Sequence, residues 1–107
     1  MKPLAFTGSS LADLRGFPGR ARREAGYQLS QVQLGLEPSD WKPMRTIGRA
    51  VREIRIHTDG EFQVIYITRL HETVYVLHAF QKKTQKTSGK DIQLARTRLK
   101  FIQEIQS

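Results

Sequence analysis

Three runs of strand-forming residues follow one another with only a few residues between them: AVREIRIH (50–57), FQVIYIT (62–68) and TVYVLHAF (73–80). β-Branched and aromatic side chains dominate all three, and connections this short cannot carry a crossover, so the runs should pair as antiparallel neighbours. The second and third are apolar on both faces. Such strands belong in the middle of a sheet with something packed against each side. In the first connection, Thr58-Asp59-Gly60 suits a three-residue loop with Gly60 in the left-handed position, which would set Arg55 opposite Gln63; a two-residue turn would shift that register by one.

The flanking segments supply strands and covers. PLAFT (3–7) is short and led by Pro3, which cannot donate to a ladder, so it reads as an edge strand. Ser10 and Asp13 have capping-box spacing, and Leu11 and Leu14 share a face, predicting a first helix to about Arg15 that Gly16, Phe17 and Pro18 interrupt. Between Gly19 and Leu34, Ala21, Ala25, Leu29 and Val32 form one stripe of a second helix closed by Gly35. LEPSDWKPMRT (36–46) has two prolines and no period and reads as a connecting loop; Trp41 and Met44 are expected to anchor it, the alternative for Trp41 being to stack on a base. Ser88 and Asp91 then cap a last helix whose apolar stripe is Ile92, Ala95, Leu99 and Ile102, widened by Leu94, Phe101 and Ile105. Arg98 falls inside that arc, so it must pair, reach water or face a ligand. With 107 residues and 38% hydrophobic content, the chain supports one core-bearing domain, residues 1–107. The expected fold is α+β: a small twisted antiparallel sheet of about four strands, made of a short N-terminal strand and a three-strand meander, packed with two N-terminal helices and one C-terminal helix.

Charge narrows the partner. Lys and Arg number 18 against 10 acidic residues, for +8 at neutral pH, which favours a polyanion such as nucleic acid or an acidic protein. Arg20, Arg22 and Arg23 crowd the start of the second helix, where the helix dipole prefers anions. There is no cysteine, hence no disulfide or thiolate ligand. The N-terminal stretch lacks the apolar run of a signal peptide and no window approaches a membrane span, so the chain is expected in the cytoplasm, with no membrane partner. His57, His71 and His78 lack zinc spacing, no acidic cluster suits magnesium, and neither a nucleophile elbow nor a phosphate loop occurs, so neither a metal nor a cofactor is expected.

What remains is cationic. Arg55 sits mid-strand, alternating with Ile54 and Ile56, while Lys82, Lys83 and Lys86 follow the end of the third run. An antiparallel sheet can bring that strand end and Arg55 within side-chain reach of one phosphate. Guanidinium grips two phosphate oxygens and ammonium adds a mobile charge, a combination that suits a pentavalent phosphorus transition state.

The segments FTGSSLADLRGFP (6–18), DWKPM (40–44), VREIRI (51–56), GEFQVIYITRLHETVYVLHAFQ (60–81) and KKTQKTS (82–88) together resemble the RelE/ParE superfamily of type II toxins, in its phage-derived HigB-like branch. The resemblance implies a twisted antiparallel sheet packed with helices, metal-independent cleavage of mRNA on the ribosome, and silencing by an antitoxin, commonly a helix-turn-helix protein, in a hetero-oligomer. It implies that Arg55 contacts the scissile phosphate and that Lys82 or Lys83 is the basic residue after the last strand. The reaction would be attack of the 2′-hydroxyl on the adjacent phosphate. Lys86, Arg98 and Arg69 are further candidates for RNA or phosphate contact, and His78, Tyr66 or Lys86 for proton transfer. Gln63 stands where many relatives carry arginine, Glu53 where some carry lysine, Gly89 where lysine is expected and Ala50 where glycine is frequent; no tyrosine follows the final strand. The rival readings are a ParE-like toxin of DNA gyrase and a basic binding module without activity.

Overall fold

The computed structural model describes residues 1–105, the side chain of Arg69 excepted. Eight elements follow in order: β1 (Leu4–Phe6), α1 (Ser10–Arg15), α2 (Gly19–Gln33), β2 (Trp41–Pro43), β3 (Val51–Ile56), β4 (Phe62–Leu70), β5 (Thr73–Gln81) and α3 (Gly89–Ile105). The meander forms as its residues dictate, and β4 and β5 take the interior of a five-stranded sheet ordered β1-β5-β4-β3-β2. Arg55 lies opposite Gln63, the register of the three-residue loop. In that loop Asp59 takes the left-handed conformation (φ +56°), and Gly60, at φ +132°, enters a region few residues but glycine adopt.

Two expectations about the sheet change. It has five strands, because Trp41–Pro43 pairs antiparallel with β3; Pro43 is tolerated since this strand is an edge, where a missing N–H costs nothing to the ladder. The sheet is also mixed, because β1 runs parallel to β5, Leu4 opposite Val74 and Phe6 opposite Val76. The chain can return in parallel because α1 through β4 lie between the two strands, a connection long enough for a crossover.

Each face has its own core. Leu14 of α1, Phe17, and Ala21, Ala25, Leu29 and Val32 of α2 pack on Ile54, Ile56, Val64, Tyr66 and Val76. On the other face Ala95, Leu99 and Ile102 of α3 pack on Val51, Ile65, Ile67 and Leu77, with Met44 and Ile47 of the β2–β3 connection. Leu94, Phe101 and Ile105, expected to widen the α3 stripe, are exposed, Phe101 at 59%, because the sheet face is only wide enough for the central row of the helix. At α1 the N-cap position falls on Ser9, whose Oγ donates to Asp13 Oδ2 at 2.7 Å and makes no cap bond to the backbone, while Ser10 is buried and donates to the Val76 carbonyl at 3.2 Å. Among the described residues no helix is long and apolar enough to cross a membrane.

A β-bulge in β5 shapes the α3 side. Ile65 pairs with His78 but Tyr66 with Val76, so Leu77 is the extra residue and both it and His78 face α3. The Leu77 carbonyl, released from the ladder, accepts from Arg98 Nη1 at 2.9 Å and Thr7 Oγ1 at 3.3 Å.

Candidate functional site

Strand pairing lines up Arg55 of β3, Gln63 of β4 and Phe80 of β5 across the α3 face. Beyond the row the backbone N–H of Lys82 donates to the Glu61 carbonyl at 2.7 Å, continuing the ladder by one step. Strand spacing and rise place the backbones of Arg55 and Lys82 about 12 Å apart, close enough for two long side chains to share one anion. Extending the alternation by two residues from Phe80 puts Lys82 on the face of Arg55; Lys82 is half-buried, Lys83 and Lys86 exposed. Lys82, Lys83, Thr84 and Gln85 border a shallow hollow with Glu61.

The lysine segment is tied back onto this row. Thr87 donates through Oγ1 to Gln63 Oε1 at 3.2 Å, and Gln63 is itself buried, its Nε2 unpartnered among the described residues. Ser88 then caps α3, accepting from the Asp91 N–H at 3.1 Å and donating through Oγ to Asp91 Oδ2 at 2.6 Å. Asp91 reaches His78 Nε2 at 2.7 Å. Burial is the largest influence on the Asp91 carboxyl and works upward, but hydrogen bonds from Ser88 and His78, with the charges of His78 and Lys90, outweigh it and hold the group below the ordinary aspartate value. His78 stacks on Phe80, ring centroids 4.5 Å apart, and its Nδ1 is buried without a partner among the described residues.

Arg55 is partnered. Its Nη2 meets Asp40 Oδ1 at 3.0 Å and its Nε meets the same oxygen at 3.1 Å. Asp40 Oδ2 bonds His57 Nε2 at 2.6 Å, and His57 Nδ1 bonds Glu61 Oε2 at 2.5 Å. Two carboxylates on one imidazole favour its protonated form: bonds to Asp40 and then Glu61 raise the pKa of His57, while the His57 bond and the charge of Arg55 lower that of Asp40. The cluster therefore alternates sign, Glu61, His57, Asp40, Arg55, running from the lysine hollow to β3.

The remaining expected residues divide. Arg98 is engaged inside the fold: besides the Leu77 carbonyl it reaches Ser9 Oγ at 3.1 Å, joining α3 to α1 and β5. Arg69 lies in β4, its side chain outside the described residues. Tyr66 pairs with Arg52 in the ladder and belongs to the core under α1 and α2, so it does not share a face with Arg55. Burial raises the pKa of its hydroxyl, while the hydrogen bond and the charge of the neighbouring Arg52 guanidinium pull the other way. Glu53 is fully buried, its Oε1 3.5 Å from Lys42 Nζ. Ala50 has φ +68°, the left-handed conformation that makes glycine comfortable there.

Sequence reasoning missed Asp40, His57, Glu61 and Thr87 as members of this cluster. A signal existed only for His57 and Glu61: the loop register that puts Arg55 opposite Gln63 also puts these two face to face at the loop mouth.

A family model described as Phage derived protein Gp49-like (DUF891) matches residues 12–100. That span runs from within α1 to within α3, leaving out β1, and takes in every residue of the cationic row and its lysine segment. No curated protein matches the chain. With most of its fold and all of its cation-bearing segment inside the match, the chain belongs to the Gp49-like family of phage-derived proteins, a toxin-like family of the RelE and HigB type.

Proposed function

We propose that this protein is the toxin of a type II toxin-antitoxin system, of the HigB kind, and that it cleaves mRNA on the ribosome in the cytoplasm without a metal ion. The observation that carries the reading is the row Arg55, Gln63, Phe80 with the lysine segment fastened over it by Thr87 and Gln63. In this reading Arg55 takes two oxygens of the scissile phosphate, Lys82 and Lys83 neutralise the charge that develops on it, and Lys86 holds a neighbouring phosphate. The RNA 2′-oxygen bonds to phosphorus as the bond to the 5′-oxygen breaks, giving a cyclic 2′,3′-phosphate and a 5′-hydroxyl. One proton leaves the 2′-hydroxyl and one is delivered to the departing oxygen. His78, on the face of Arg55, is better placed for such a transfer than Tyr66. Positioning and charge stabilisation are the whole of the catalysis asked of the protein.

A partner antitoxin, proposed to be a helix-turn-helix protein, would silence the toxin by covering the cationic side, an acidic surface being the electrostatic complement. The test is a translation reaction in which mRNA ends are mapped: alanine at Arg55, Lys82 and Lys83 together abolishes the cuts while the circular dichroism spectrum stays native. Cuts that persist unchanged refute the site, and a DNA-damage response with intact mRNA selects gyrase instead. One observation favours a second reading, a basic binding module without cleavage: Arg55 already spends its charge on Asp40.

A further inference from the structure

The opposite end of β3 carries a second cationic surface. Trp41, Pro43, Arg45, Arg49 and Arg52 line an open groove between the β2 edge and the turn that leads into β3. The turn is fixed in place. Met44 and Ile47 are buried in the α3-side core, a Cβ on Gly48 would lie 2.6 Å from Leu99, and Arg96 Nε donates to the Thr46 carbonyl at 2.6 Å. The arginines it presents are therefore held by a rigid frame. Arg45 and Arg49 are exposed, and neither has an acidic partner among the described residues.

Trp41 was expected to anchor the loop, yet it belongs to neither core and is only partly covered. What covers it is the guanidinium of Arg52, 3.9 Å from the ring centroid. Arg52 has one acidic neighbour, Glu37 at 3.8 Å, which is itself 64% exposed. A guanidinium resting on an indole keeps its outer plane for another flat group, and the indole beneath limits its rotation. Unpaired cations beside such a platform match one ligand chemistry, an exposed base with its flanking phosphates. An acidic peptide would use the charges and leave the platform idle, and a duplex would keep its base faces hidden.

We propose that this groove is a second nucleic-acid site that takes a single-stranded segment, with one base stacked on the Arg52 guanidinium above Trp41 and adjacent phosphates on Arg45 and Arg49. Trp41 and Arg52 lie on the α2 side of the sheet, whereas Arg55 lies on the α3 side, so the two anion sites are physically separate. The proposal does not depend on the protein being a nuclease.

Trp41 is the one tryptophan of the chain, which makes its emission a local reporter. Titrating the full chain with a twelve-residue oligouridine should give a saturable change in that emission. Exchanging Arg45 and Arg49 together for glutamine should weaken binding about tenfold and make the log K against log salt slope shallower by about 1.4, the share of two phosphates on a single strand. The variant with alanine at Arg55, Lys82 and Lys83 should keep the Trp41 signal, and polyglutamate of equal charge should not produce it. The proposal is overturned if oligouridine binds, as seen by anisotropy, with no change at Trp41, if R45Q/R49Q titrates like the parent, or if polyglutamate gives the same emission change.

Discussion

Arg55 and Asp40 hold each other through both main chain and side chain: the Arg55 N–H donates to the Asp40 carbonyl at 2.9 Å, and the guanidinium closes on Oδ1 at 3.0 Å. The main-chain bond fixes where Asp40 stands, so the carboxylate competes for the guanidinium with any phosphate that approaches. Both side chains are more than a third exposed, which limits the pair to roughly 1 kcal/mol or less. Asp40→Asn should therefore raise the affinity for a labelled RNA oligomer several-fold, read by fluorescence anisotropy, with little change in the urea midpoint. Weaker binding by this variant would mean that Asp40 aims Arg55 instead of occupying it.

His57 makes the stability of this corner depend on pH. Its pKa is raised in the folded chain, so its contribution is complete below the unfolded value near 6.5 and fades as pH climbs through the raised value. Asp40 behaves oppositely, its contribution present above about 3.8 and lost as pH falls through its lowered value. His57→Gln should flatten the decline of the urea midpoint between pH 6.5 and 9. Parallel curves for the two proteins over that range would remove His57 as the cause.

Thr87 is the tether of the lysine segment. Thr87→Val removes the hydroxyl that meets Gln63 and should cost about 0.5–1.5 kcal/mol, with faster hydrogen exchange confined to residues 82–88 and weaker RNA binding. Thr87→Ser keeps the hydroxyl and should restore both. Unchanged exchange in the valine variant would show that the segment is held by other contacts.

Gly8 is required by its neighbour. Its φ is +51°, and a Cβ there would stand 2.6 Å from Arg98 Nε. Gly8→Ala should destabilise by roughly 1–3 kcal/mol, and part of that loss should vanish when Arg98 is also alanine, a coupling measured by a double-mutant cycle in urea. Strict additivity would assign the cost to the backbone alone.

Tyr66→Phe removes a buried hydroxyl that lies beside the Arg52 guanidinium. Stability should move by no more than about 1 kcal/mol, and mRNA cleavage in the translation reaction should persist. Loss of cleavage with a native spectrum would bring the phenol into the chemistry despite its place on the other face.

The meander was legible because its signals are local: alternation, branched side chains and a loop whose length sets the Arg55 to Gln63 register. The stripe of Ala95, Leu99 and Ile102 was legible for the same reason. β2 was not, since three residues including a proline have no strand character of their own and become a strand only because β3 offers an edge. The parallel return of β1 was equally hidden, its partner being some seventy residues away along the chain. In the site, basic residues could be named from their density, but their partners could not. Asp40 and Thr87 sit in segments without periodicity, and each meets its partner only after the sheet has assembled, Thr87 across 24 residues and Asp40 across 15. Gln63 read as a missing cation; its burial beneath the lysine segment gives it a fastening role that composition cannot express.

The parallel pairing of the first strand with the fifth has a consequence in time. Residues 4–6 find their neighbours only at 74–76, and contacts this distant along the chain form late because the closure entropy must be met first. While the polypeptide is still being made, its opening strand therefore waits with an open edge until residues 74–76 have been added.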